Sequence, residues 1–148
     1  MRRKLILVVA SSFLLAAADK KEDPVNKDLA KLQGTWTMTA LEVDGKPVPE
    51  DKLTSSTLTI KGDKYIIKVE DNTYKCTIKL DPSKDPKEID MTFLDGPNKD
   101  KTGKGIYVLE KDTFKICRAL DPGKDRPQNL GTWPDTGVFM VTWKRKAK

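Results

Sequence analysis

Residues 57–80, TLTIKGDKYIIKVEDNTYKCTIKL, decide the fold. Leu58 and Ile60 alternate with Thr57 and Thr59, and Gly62-Asp63 then supplies a tight turn. Tyr65, Ile67 and Val69 stand opposite Lys64, Lys68 and Glu70 before a second turn at Asp71-Asn72. Tyr74, Cys76, Ile78 and Leu80 alternate with Thr73, Lys75, Thr77 and Lys79. A period of two puts successive side chains on opposite faces of a strand, and two-residue turns join such runs into antiparallel hairpins.

The same reading extends outward in both directions. Strands are expected at 34–43, 55–61, 64–70, 73–80, 87–94, 105–110, 113–119 and 137–145. In the first, Trp36, Met38 and Ala40 share a face; in the fifth, Ile89, Met91 and Phe93 do. Asp44-Gly45 is a turn signal, and Pro47 and Pro49 work against regular pairing just after it. Residues 95–103 read as a polar loop and 120–136 as a long Pro-rich connection. Before the strands, Asn26 would cap a short helix carrying Leu29 and Leu32, after a polar leader over 19–25. No strand alternates with a long helix, so a parallel α/β sheet is excluded. The expected fold is all-β: about eight antiparallel strands in an up-and-down barrel, with a short N-terminal helix. A two-sheet sandwich is the alternative. An eight-strand barrel has room for one small ligand or for a filled core.

Residues 1–18 stand apart from this pattern. Arg2, Arg3 and Lys4 precede an apolar run from Leu5 to Leu15, and Ala16-Ala17-Ala18 offers a cleavage site before Asp19. That is the build of a secretory signal peptide, with a membrane anchor as the alternative. It implies an exported protein, periplasmic or secreted, with residues 26–148 as one domain. The net charge changes with it. The chain carries +6, but without its first 18 residues it has 25 Lys and Arg against 22 Asp and Glu. The Lys residues alternate with apolar positions and sit beside acids in turns, which describes a solvated face, not a nucleic-acid stripe. No second stretch of about 18 apolar residues would span a membrane.

Several stretches together carry a resemblance. They are Leu32-Gln33-Gly34-Thr35-Trp36, Asp44-Gly45-Lys46-Pro47-Val48-Pro49, Leu80-Asp81-Pro82, Asp95-Gly96-Pro97, Gly105-Ile106-Tyr107, Phe114-Lys115-Ile116-Cys117, Arg126-Pro127 and Lys144-Arg145. In this order and spacing, over residues 29–145, the chain resembles the lipocalin-like extracytoplasmic domain of planctomycete bacteria, a family without an established activity. It is similar to lipocalins in the Gly-x-Trp that opens the first strand. That likeness implies that Trp36 closes one barrel end with a basic residue of the last strand across it. In a closed meander the first and last strands pair, which brings Lys144 or Arg145 to Trp36.

Candidate chemistry is sparse. The chain has no His, which removes Ser-His-Asp and Cys-His catalysis and His-containing zinc sites. Two Cys cannot make a four-thiolate site. Asp95 to Asp100 would place Pro97 and Lys99 where a calcium loop needs oxygen ligands. Glu88 and Asp90 read as an outer polar face, and no nucleophile has an evident base. Neither metal nor cofactor is implied, and the chain reads as a non-enzyme, an unrecognised hydrolase being the remaining catalytic alternative. Cys76 and Cys117 fall on the fourth and seventh expected strands, which are not neighbours, so two free thiols are favoured over a disulfide unless the barrel is flattened. Trp133, in the long connection, is placed to cover a barrel mouth. The expected function is the binding of a small apolar or amphipathic ligand inside the barrel. Its candidate contacts are Tyr65, Ile67, Tyr74, Met91, Phe93 and Tyr107, with Arg118 as a polar anchor. The alternative is a filled barrel that acts through its surface as a structural or protein-binding domain.

Overall fold

A computed structural model describes residues 23–53 and 55–147. The expected signal over 1–18 and residues 19–22 of the leader lie outside the described residues. Helix α1 (Pro24–Leu32) precedes nine strands: β1 (Gly34–Val43), β2 (Lys46–Pro47), β3 (Thr57–Lys61), β4 (Lys64–Val69), β5 (Asn72–Asp81), β6 (Lys87–Phe93), β7 (Thr102–Glu110), β8 (Thr113–Ala119) and β9 (Val138–Arg145). Apart from β2, each strand pairs antiparallel with its neighbours in chain order, and β1 pairs with β9 to close the ring. The eight long strands therefore form an up-and-down barrel, and the sandwich alternative falls. Closure leaves no long strand edge bare. The two-residue β2 hangs off β1 through the Asp44-Gly45 turn, where both turn residues have positive φ, 51° and 77°. Pro47 has no N–H to give, and the next amide, Val48 N, donates to Leu41 O at 2.8 Å.

Three local expectations are corrected. The helix starts at Pro24, not after Asn26, because the Asp23 carboxylate accepts from Val25 N at 3.1 Å and proline suits a first helical turn. Residues 23–25 are thus cap and helix, not loose leader. In β1 the register against β9 shifts between Met38 and Ala40. This bulge turns Ala40 to the exposed side and brings Leu41 and Val43 inward. Finally, β7 begins at Thr102, three residues earlier than alternation suggests. Gly103 and Gly105 carry no side chain to show a face, so the strand reads as loop.

The barrel has a closed end and a mouth. At the closed end α1 lies across the opening and adds Leu32 to a core that includes Trp36, Leu58, Ile60, Tyr107 and Phe114. The Phe114 ring centroid lies 5.9 Å from that of Trp36 and 6.1 Å from that of Tyr107. Gln33, just after the helix, donates to Gly62 O at 2.9 Å and accepts from Gly62 N at 2.7 Å, which fixes the β3–β4 turn to it. The 120–136 connection runs outside the barrel and covers the outward side chains of Ile106, Cys117 and Ala119, all buried. This second layer explains why β7 and β8 bury consecutive residues where a strand with one wet face would alternate.

Candidate functional site

The mouth half of the barrel is hollow. A cavity of about 320 Å³ is walled by Met38, Leu41 and Val43 of β1, Tyr65, Ile67 and Val69 of β4, and Phe139, Val141 and Trp143 of β9. Met91 closes it from below, Ile116 and Arg118 come from β8, and Tyr74 and Leu120 stand at the rim, 53% and 51% exposed. Larger hollows of about 430 and 620 Å³ are lined by outer-face residues, the first around Glu88 and Arg126, the second around Gly34 and Arg145.

Five of the seven residues expected to contact a ligand meet in this cavity: Tyr65, Ile67, Tyr74, Met91 and Arg118. Phe93 does not line it; its ring lies 5.2 Å from the Arg118 guanidinium carbon. Tyr107 is corrected outright. Its side chain points inward at the closed end, where the hydroxyl donates to Asp28 Oδ2 at 2.8 Å. Trp133 is corrected too. It stands 51% exposed on the connection beside Gly131 and does not reach the cavity. At the closed end Trp36 is fully buried, and the Arg145 guanidinium carbon lies 4.2 Å from its ring centroid. Lys144 is exposed and pairs in register with Thr37, so Arg145 alone covers the indole.

The polar groups of the cavity are few. Arg118 Nη1 donates to Ala119 O at 2.8 Å, and its guanidinium carbon lies 4.7 Å from the Phe139 ring centroid. Arg118 Nε and Trp143 Nε1 are buried without hydrogen-bond partners. Burial drives the Tyr65 hydroxyl well above its ordinary pKa, against a smaller opposing pull from the Trp143 indole and the Arg118 charge. Burial likewise lifts Cys76, next to this region on β5, to about 11. Both Cys76 and Cys117 are free: the first faces in and the second faces out beneath the connection.

Two charged clusters escaped the sequence reading. Asp28 is 6% exposed and accepts from Tyr107 Oη and Lys87 Nζ, each at 2.8 Å. Burial raises its pKa, but those two hydrogen bonds and the charges of Lys87 and Lys31 outweigh this and hold the carboxyl below its usual value. The available signal was its place on the helix: Val25, Asp28, Leu29 and Leu32 fall at i, i+3, i+4 and i+7, the inward stripe. Arg126, from the connection, donates to Gly105 O at 2.7 Å and pairs with Asp90 at 2.7 Å and Glu88 at 3.5 Å. The outer carboxylates of β6 thus anchor a loop.

By architecture the protein is a closed, up-and-down, eight-stranded barrel with a hollow, apolar mouth half. The chain matches no family model, no curated protein and no solved structure. No helix among the described residues is long and apolar enough to cross a membrane.

Proposed function

We propose that the protein is an exported binding module that takes one small apolar or amphipathic ligand into the mouth half of its barrel and holds it without transforming it. The cavity carries this reading: about 320 Å³ reaches the size at which a small molecule gains enough burial to offset its lost freedom, roughly 300 Å³. Its wall is hydrocarbon and aromatic, with polar groups at few points, a surface suited to recognition by burial. The resemblance to the planctomycete lipocalin-like domain and the charged-apolar-small order of residues 1–18 support export.

A fluorescence titration with the neutral probe N-phenyl-1-naphthylamine tests the binding. Saturable one-site binding is expected for the wild type. Met91→Trp, which fills the cavity floor, should weaken it while the far-UV circular dichroism stays unchanged. Absence of binding would leave the surface-interaction reading in its place. Export is tested separately by N-terminal sequencing of protein from its host. The mature chain should begin at or near Asp19, and a cytoplasmic chain starting at Met1 would refute it.

A further inference from the structure

We propose that the ligand carries an anionic head, a carboxylate or similar oxyanion, and that Arg118 receives it while the apolar body lies along the β1, β4 and β9 wall. This rests on the reading that the cavity holds a ligand, and adds the class of that ligand and the residue that selects it.

Arg118 is a charge without a counter-charge among the described residues. Arg118 projects into an otherwise apolar cavity, and no carboxylate is among its ion-pairing partners in the described residues. The titratable groups that act on it are Tyr65 and Cys76. Burial favours the neutral form of both, so neither supplies an anion. A guanidinium has five N–H donors, and among the described residues this one uses a single acceptor, Ala119 O. Nε has none. Unpaired charge and unmet donors in an apolar setting are costly to keep.

The side chain is nevertheless seated by specific neighbours. Gly105 lies opposite Arg118 in the β7–β8 register. A Cβ there would stand 2.9 Å from Cys117 O and 3.0 Å from Arg118 Cβ, and one on Gly103 would stand 3.4 Å from Nη1. Two glycines thus clear the space across which the arginine lies. The rings of Phe93 and Phe139 flank the guanidinium at 5.2 and 4.7 Å, close enough for cation–π attraction. Rings and glycines hold the fork in place without neutralising it. An oxyanion would complete both the charge and the hydrogen bonds, since a planar fork donates two parallel bonds to a carboxylate. A neutral acceptor would meet a donor but not the charge, and so should bind more weakly.

Displacement of N-phenyl-1-naphthylamine by three ligands with the same decyl body separates the possibilities. In the wild type, decanoate should compete at least about ten-fold better than 1-decanol, as a charge-assisted hydrogen bond implies, and decyltrimethylammonium should be the poorest. In Arg118→Gln the preference for decanoate over 1-decanol should fall to within about two- to three-fold, each measured against that variant's own affinity for the naphthylamine. Arg118→Lys, which keeps the charge but loses the fork, should fall between. Equal binding of decanoate and 1-decanol by the wild type overturns the proposal and leaves the ligand-binding reading intact. A decanoate preference that survives in Arg118→Gln also overturns it. Failure of the naphthylamine to bind the wild type would refute both readings. Should Arg118→Gln not fold, the wild-type ranking and the lysine variant still decide.

Discussion

Trp36 joins the first strand to the helix and to the last strand at once. Its indole N–H donates to Leu32 O at 2.9 Å, and Arg145, across its ring, donates to Gln33 O at 2.8 Å and to Lys31 O. Both side chains thereby satisfy carbonyls at the end of α1, where a cation is also favoured by the helix dipole. Trp36→Ala should cost about 3–5 kcal/mol in urea unfolding, as truncation of a large buried aromatic does. The pairing of Trp36 with a basic residue at 144–145 was legible in the sequence because the ends of a closed meander must meet. Asp28 was not, since a lone acid among helical lysines reads as solvated. Its folded pKa lies below the value of about 3.9 expected in the unfolded chain. Its stabilisation is therefore complete above that unfolded value and is lost as pH falls through the folded one. Asp28→Asn should destabilise the protein by about 1–3 kcal/mol at pH 7. The gap should narrow once the pH drops below about 4. Chemical denaturation across that range checks it, and a gap independent of pH would contradict the assignment. The two thiols give a third test. Cys76 titrates near 11 and burial also raises Cys117, so neither should react with a thiol reagent at pH 8 until urea is added.

Among the elements, most of the long strands were readable because one face is buried and the other wet, so side chains had to alternate. Two of the failures share a cause: a backbone feature, not a side chain, carries the information. The bulge between Met38 and Ala40 exchanges the faces of the rest of β1, and no residue type there announces it. In β7, glycines at 103 and 105 mimic a loop while making room for Arg118. The 120–136 connection read as a plain crossing, yet Arg126 fastens it to β6 and β7 at four points, including Ile89 O at 3.2 Å. Arg126→Ala should therefore loosen the connection without opening the barrel. Hydrogen exchange should rise across 120–136 and stay unchanged in α1 and β3–β5, with a stability loss of about 1–3 kcal/mol. Unchanged exchange in the connection would mean that the pairing adds nothing.

For the whole molecule, the barrel is two different interiors in one wall. Near α1 the aromatic rings of Trp36, Tyr107 and Phe114 fill the space; toward the mouth the wall stands around an open cavity of about 320 Å³. Alternation in the sequence identified which residues face in, but could not sum their volumes. That sum depends on the bulge, which exchanges Ala40 for Leu41 and Val43, and on the two glycines opposite β8. It also depends on Tyr107, which spends its bulk at the closed end on Asp28. The methionines report directly on whether the cavity is where a ligand goes. Met38 and Met91 line it, whereas Met140 of β9, paired in register with Cys117 and Glu42, does not. With ¹³C-methyl methionine and a titration of N-phenyl-1-naphthylamine, the Met38 and Met91 methyl signals should shift together and saturate at one equivalent, with Met140 unmoved. A shift confined to Met140, or no saturable shift at Met38 and Met91, would contradict the account.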